Sequence, residues 1–346
     1  MRRPTPWLLL MLIGLAGAGW VRAGQPREMP AAWPYAQPPL PPGVIPPQAL
    51  APRIPPATPV APADPNAAPP PLRQAAGSAL QFTQQQVSNG YGPADWFPDD
   101  HPATPDIVSH GKPGMARACG LCHLPDGRGR PENAPLQSLP VDYFVQQVRD
   151  FQAGLRRSAD PRKANTLEME SIAKALTDDE LKTAATYFNA IKVPRYIRVV
   201  ESNMVPTTRV QGEIYFATDD GKKEPIGIRV MEIAEDATQT QLRNPKSGFV
   251  AYAPVGSITR GKALATTGGN GKTTPCAVCH GPDLKGLAMI PNLAGRSPSY
   301  LARQIYDIRL GTRHGAMVAL MKTVVANLTD SDIVDLVAYM SSLDPQ

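Results

Sequence analysis

Cys-x-x-Cys-His occurs twice in the chain, as Cys119-Gly120-Leu121-Cys122-His123 and Cys276-Ala277-Val278-Cys279-His280, and the two copies use all four cysteines. Two thiols three residues apart, with an imidazole directly after the second, is the spacing of covalent c-type haem attachment. The thiols become thioethers and the histidine becomes the proximal iron ligand. A structural zinc site asks for four Cys or His ligands, and neither copy has a second Cys pair near it in sequence. If the copies met in space as one all-cysteine site, both histidines would be left without a role. A thioredoxin-like redox pair does not need the trailing histidine. The spacing therefore predicts two covalently bound haem c groups. Cys119, Cys122, Cys276 and Cys279 attach them, and His123 and His280 ligate the iron.

The N-terminus reads as an export signal. Arg2 and Arg3 precede an apolar run from Trp7 to Trp20, and Ala23 closes a plausible cleavage site, giving a signal peptide over residues 1–23. An uncleaved anchor facing the periplasm is the alternative. Export agrees with the cysteines, which in an oxidising compartment would otherwise be paired in disulfides. Residues 24–75 hold 18 of the 40 prolines, a composition that favours polyproline II over a packed core, so a semi-rigid or disordered leader is expected. The formal charge of +5 comes mostly from residues 1–75, and the rest carries 29 basic against 28 acidic residues. That balance gives no support to a nucleic-acid partner.

The two motifs head two copies of one repeat. Adding 157 carries Pro125, Asp126, Gly129, Leu136, Tyr143, Gln147, Asp150, Gly154 and Arg156 onto Pro282, Asp283, Gly286, Leu293, Tyr300, Gln304, Asp307, Gly311 and Arg313. The offset then falls to 152, so the first copy carries five extra residues within about 157–166, after which Met169, Leu176, Thr177, Asp178 and Tyr187 match Met321, Leu328, Thr329, Asp330 and Tyr339. Phe144, Val148 and Phe151, like Leu301, Ile305 and Ile308, fall at helical spacing. Asp142 and Ser297 are the expected caps of these helices, and Gly154 and Gly311 their expected ends. Thr177-Asp-Asp-Glu180 is a capping box, with a weaker version at Thr329-Asp-Ser-Asp332. Leu181, Ala184 and Phe188, and then Ile333, Leu336 and Met340, line the apolar faces of the last helices.

Met169 and Met321 hold one repeat position, which suggests a shared role as the second axial ligand. Met317, four residues earlier, competes with Met321. His101, His110 and His314 are read as surface or loop residues. Met115 and Met289 have no repeat partner.

These residues resemble the class I c-type cytochromes, in particular the di-haem members built from two such domains. The likeness rests on Cys276-Ala-Val-Cys279-His280-Gly-Pro-Asp283, Asn292-Leu-Ala-Gly295, Ser299-Tyr-Leu301, Gly311-Thr-Arg313, Met321 and Leu328-Thr-Asp330. It is closer over residues 255–346 than over 100–193, where Leu124 replaces Gly281. The resemblance implies a mainly α fold of two cytochrome c domains (76–195 and 255–346), ligand pairs His123/Met169 and His280/Met321, and periplasmic electron transfer. The implied partners are redox proteins: dehydrogenases, oxidases or reductases. A di-haem peroxidase with one labile ligand is the alternative. Residues 196–254 depart from the pattern. Ile197–Val200, Glu213–Phe216 and Ile228–Ile233 read as short strands and Asp219–Lys222 as a turn, giving a β-containing connector.

Overall fold

The computed structural model describes residues 28–41, 43–50, 68–192, 194–315 and 317–345. The signal segment and much of the Pro-rich leader lie outside the described residues. No helix among those described is long and apolar enough to cross a membrane.

Two helical units are joined in sequence by a segment that forms a small sheet, so the chain expected to be mainly α mixes helix and sheet. In the first unit, the short helix Cys119–His123 is followed by helices Val141–Gln152, Ala164–Ala175 and Asp178–Asn189. In the second, Ala277–His280 is followed by Pro298–Arg309, Val318–Val325 and Asp330–Ser342, and preceded by Ser257–Gly271. The apolar spacing does most of what it predicts: Phe144, Val148, Leu301, Ile305 and Ile308 are buried, and Phe151 is half-buried.

The caps hold with one exception. Ser297 Oγ accepts from the Tyr300 amide, and both Thr177 and Thr329 form complete capping boxes with Glu180 and Asp332. The Asp332 version is as complete as the Glu180 one, because the shorter carboxylate still reaches the Thr329 amide at 2.7 Å. The helix expected to be capped by Asp142 begins two residues earlier, with Pro140 as its uncapped N-cap. Asp142 instead lies in the first turn, where a carboxylate complements the exposed amide dipoles.

Between the units the chain forms a five-stranded sheet in the order Ile197–Glu201, Phe249–Ala253, Met231–Ala234, Ile214–Ala217, Thr208–Gln211. The first two strands run parallel, and Met231–Ala234 lies antiparallel to Phe249–Ala253. The sheet shares one continuous core with the second helical unit, whereas the first unit has its own core around Phe144, Leu181 and Phe188. A buried carboxylate joins sheet to helix. Glu232 accepts from Ser297 Oγ at 2.7 Å and from the Ser299 amide at 3.2 Å, at the N-terminus of Pro298–Arg309. At the back of the same unit, a Cβ on Gly261 would stand 2.0 Å from the Asp335 carbonyl, so only glycine lets the two long helices come this close.

Parts of the leader expected to be disordered are ordered against the body. Trp33, Pro34 and Tyr35 form a turn of 3-10 helix whose side chains are buried. Tyr35 Oη donates to Asp307 at 3.4 Å, and Arg303 donates to the Pro34 carbonyl at 2.6 Å. Two aromatic side chains supply the apolar area that a proline-rich stretch otherwise lacks. Further on, Gln48 and the Ala49 amide bind the Pro161 carbonyl, and Arg162 binds the Pro38 carbonyl. The described leader segments at Pro38 and Gln48–Ala49 therefore meet the five-residue insertion of the first unit.

Candidate haem sites

Each Cys-x-x-Cys-His forms a short helical turn closed by the same set of loop hydrogen bonds. The Gly129 amide donates to the His123 carbonyl at 2.7 Å, and the Gly286 amide to the His280 carbonyl at 2.9 Å. Gly129 and Gly286 have φ of +67° and +92°, and a Cβ there would come within 2.9 and 2.8 Å of the Ala134 and Ile290 carbonyls. The repeat keeps glycine at this position because no other side chain fits.

The loops then aim the histidines. His123 Nδ1 lies 2.7 Å from the Ala134 carbonyl and His280 Nδ1 2.8 Å from the Pro291 carbonyl, and these two carbonyls are again equivalent in the repeat. A carbonyl at Nδ1 fixes the proton there and turns the Nε2 lone pair outward, the arrangement a metal-binding imidazole requires. Both rings are buried, and burial holds their pKa below the ordinary histidine value, which favours the neutral, ligating form. Burial also pushes the Cys119 thiol up to about 12 and the Cys122 and Cys276 thiols up to about 11. All four cysteines are free of disulfides.

Two separate cavities gather the remaining residues. Cys119, Cys122, His123 and Met169 line one, with Phe144, Val148 and Ile172. Cys276, Cys279, His280 and Met321 line the other, with Leu301, Ile305 and Leu336. Met317 and Met289 line the second cavity too, so the structure keeps Met317 as a neighbour of Met321. Met169 and Met321 are half-buried on helices, whereas Met317 is 53% exposed and has φ of +65°. His110 and His314 are largely exposed, as expected. His101 is not: its side chain is buried, 3.1 Å from the Asp95 carboxylate and 3.0 Å from Tyr187 Oη.

The two cavities share a wall made of Leu139, Tyr143, Gln147, Tyr300 and Gln304. Across it the repeats exchange arginines. Arg156 of the first donates to Tyr300 Oη at 3.3 Å and Gln304 Oε1 at 3.1 Å, and Arg313 of the second donates to Tyr143 Oη at 3.0 Å and Gln147 Oε1 at 2.7 Å. The two arginines pair as an antiparallel β-bridge, flanked by bonds from the Arg157 amide to Thr312 and from the His314 amide to Leu155, each 2.9 Å. Arg296 adds a third tie: fully buried, it donates to the Pro135 and Gln137 carbonyls of the first unit at 2.8 Å. Sequence reasoning did not assign these residues, although a signal was present. Tyr143/Tyr300, Gln147/Gln304 and Arg156/Arg313 are identical pairs in the repeat, yet none is a ligand or a cap.

The residues present fit a haem in each cavity. Besides the Cys, His and Met donors, the apolar lining suits a porphyrin face. Arg313 Nε, buried in the wall of the second cavity, has no hydrogen-bond partner among the described residues and would suit a propionate.

A cytochrome c family model matches residues 258–344. Cytochrome c-554(548) of Halomonas halodenitrificans is 47% identical over 75 residues, 21% of this chain and 90% of that protein. Cytochrome c4 of Pseudomonas aeruginosa is 27% identical over 236 residues, 66% of this chain and 87% of that protein. A protein described as a thiosulfate dehydrogenase electron acceptor, from Thiomonas intermedia, is 26% identical over 224 residues, 63% of this chain and 75% of its own length.

Proposed function

The chain belongs to the di-haem class I c-type cytochromes, electron-transfer proteins that work with redox partners, and from that premise we propose that it carries electrons between exported redox proteins through two haem c groups. Cys119 and Cys122 would hold one group and Cys276 and Cys279 the other, with His123/Met169 and His280/Met321 as axial pairs. When bound, each haem iron alternates between ferric and ferrous and so carries one electron. The protein supplies the rest. Ala134 and Pro291 orient the imidazoles, the Met169 and Met321 sulfurs would favour the ferrous state, and the apolar walls would keep water from the iron.

The observation that carries this reading is the shared wall. Two cavities, each with one Cys pair, one histidine and one repeat-matched methionine, are separated by a single layer of side chains clasped by Arg156 and Arg313. Such an arrangement suits passage of an electron from one site to the other. A methionine in each cavity favours two closed, six-coordinate centres over a peroxidase with an open position. The relative that serves as electron acceptor to a dehydrogenase supports a dehydrogenase as the donor, with an oxidase or reductase downstream. Export to the periplasm, by a cleaved signal or as an anchored form, belongs to the same proposal.

Pyridine-haemochrome quantitation on the exported protein tests it. Two haems per chain are expected, and one in each of the double variants Cys119→Ala/Cys122→Ala and Cys276→Ala/Cys279→Ala. A single haem in the native protein, or none lost in either variant, defeats the reading.

A further inference from the structure

Two positions at which the repeats differ line a third cavity, of about 830 Å³, beside the first helical unit. Arg128 stands where the second unit has Lys285, and Gln137 where it has Ala294. Lys285 is exposed, and Ala294 is buried in the second core. Arg128 and Gln137 are instead 2% and 1% exposed, and both line the cavity. Its other walls come from outside the repeat. Trp96 and Phe97 precede the first Cys-x-x-Cys-His, and Tyr196, Ile197 and Gly248 belong to the connector. The cavity shares no lining residue with either haem cavity among the described residues.

Both of these buried side chains keep one polar atom unsatisfied. Arg128 donates to the Pro245 and Ser247 carbonyls and stacks 4.6 Å from the Tyr196 ring centroid, yet its Nε has no hydrogen-bond partner among the described residues. Gln137 turns Nε2 to Asp126 at 3.5 Å, which leaves its Oε1 without a donor among the described residues. A buried donor or acceptor left unpaired costs about 1–3 kcal/mol, so a ligand that supplies both partners recovers that cost. Charge sets the sign of the ligand. The carboxylates of the cavity are engaged. Asp95 lies 3.1 Å from His101, Asp100 2.8 Å from Lys246 and Glu235 3.2 Å from Arg198. Asp126 accepts from the Arg128 amide at 3.0 Å. Arg128, Arg195 and Arg243 also line the cavity, and their guanidinium groups donate to the carbonyls of Pro245, Ser342 and Leu121. None of the three forms an ion pair with a carboxylate among the described residues, so the cavity carries a cationic excess.

We propose that this cavity binds a small organic anion, a carboxylate on an apolar body that also carries a hydroxyl or amine. The carboxylate accepts from Arg128, the hydroxyl or amine donates to Gln137 Oε1, and the body lies against Trp96, Phe97 and Ile197. The volume falls within the range of about 300–1,000 Å³ typical of small-molecule sites, which likewise combine apolar walls with a few convergent polar groups. The second unit has no such site, because Lys285 and Ala294 supply neither group. Arg243 ties the cavity to the first Cys-x-x-Cys-His turn through the Leu121 carbonyl, so the anion would sit beside the first haem cavity and outside it.

An NMR titration of the reduced, isotopically labelled holoprotein tests the site, with 4-hydroxybenzoate as the probe and benzoate and 4-hydroxybenzyl alcohol as controls. Saturable shifts centred on the Trp96 indole N–H and the Gly248 amide are expected for 4-hydroxybenzoate, with a Kd of about 1 mM or tighter. Each control should bind about tenfold more weakly, benzoate for want of the donor and the alcohol for want of the charge. Gln137→Met should weaken 4-hydroxybenzoate by about tenfold and leave benzoate unchanged, a split that a general loosening of the cavity would not produce. No saturable shift in the native protein, shifts centred elsewhere, equal affinity for the three compounds, or equal loss of both benzoates in Gln137→Met overturns the proposal.

Discussion

The two repeated helical units have the same local design and opposite surroundings. In the first, a self-contained core is wrapped on its outside by the leader, the connector and its own five-residue insertion. In the second, the core continues into the sheet and takes in Trp33 of the leader, and Val278, Leu287 and Leu320 stay exposed. The cavity is thus a property of the repeat, while its accessibility is a property of segments outside the repeat.

The largest expected effect comes from the tie between the domains. Arg296 is anchored to two carbonyls of the first domain, and its repeat counterpart is Leu139, which lies in the shared wall. Arg296→Met leaves those carbonyls without donors in a buried setting and should cost about 4 kcal/mol. Leu139→Ala, an ordinary loss of apolar contact, should cost about 2.5 kcal/mol. Denaturant unfolding monitored by Trp fluorescence measures both. A smaller loss for Arg296 would mean that the domains do not depend on this tie.

Asp307 sharpens the comparison through pH. Burial raises its carboxyl to about 6, above the ordinary aspartate value, against the opposing influence of the Ala159 amide and nearby arginines. Between about pH 4 and 6 the folded chain keeps a proton that the unfolded chain has released. Stability from this group is therefore fully present below about pH 4 and declines as pH rises to about 6, by roughly 3 kcal/mol at most. Asp307→Asn should remove that slope when its unfolding is compared with the native protein from pH 4 to 7. Because Asp307 accepts from both Tyr35 and Ala159, the same variant should loosen the leader. An unchanged slope would place the pH dependence elsewhere.

The two capping boxes give the smallest and most local test. Thr177→Ala and Thr329→Ala should each cost about 1 kcal/mol. Hydrogen exchange should separate them. Thr329→Ala loosens the helix packed on the sheet and so lowers protection in Ile197–Glu201, whereas Thr177→Ala leaves those amides unchanged. Equal effects on the strand would contradict the separation of the two cores.

What could be read in the sequence was local or repeated. Cys119 to His123 and Cys276 to His280, the Thr177 and Thr329 caps, the helix faces and the matched methionines all announce themselves within a turn or two of chain, or by recurring at a fixed offset. The strands were only partly legible, because Phe249–Ala253 is a continuous apolar run whose role depends on neighbours far away in sequence. Glu232 looked like the polar member of a strand, yet it is buried at a helix N-terminus 65 residues on. The leader's proline content masked Trp33 and Tyr35, whose binding site is assembled from Arg303 and Asp307. The arginine clasp was visible as identical letters, but its meaning needed the two domains face to face.

The most direct measurement of the central claim is the Met–iron charge-transfer absorption of the ferric holoprotein, compared with Met169→Ala, Met321→Ala and Met317→Ala. Two His/Met centres predict that Met169→Ala and Met321→Ala each remove about half of the native band, and that Met317→Ala leaves it intact. A native ferric protein with a high-spin centre, or a band lost with Met317 and retained without Met321, would contradict the account.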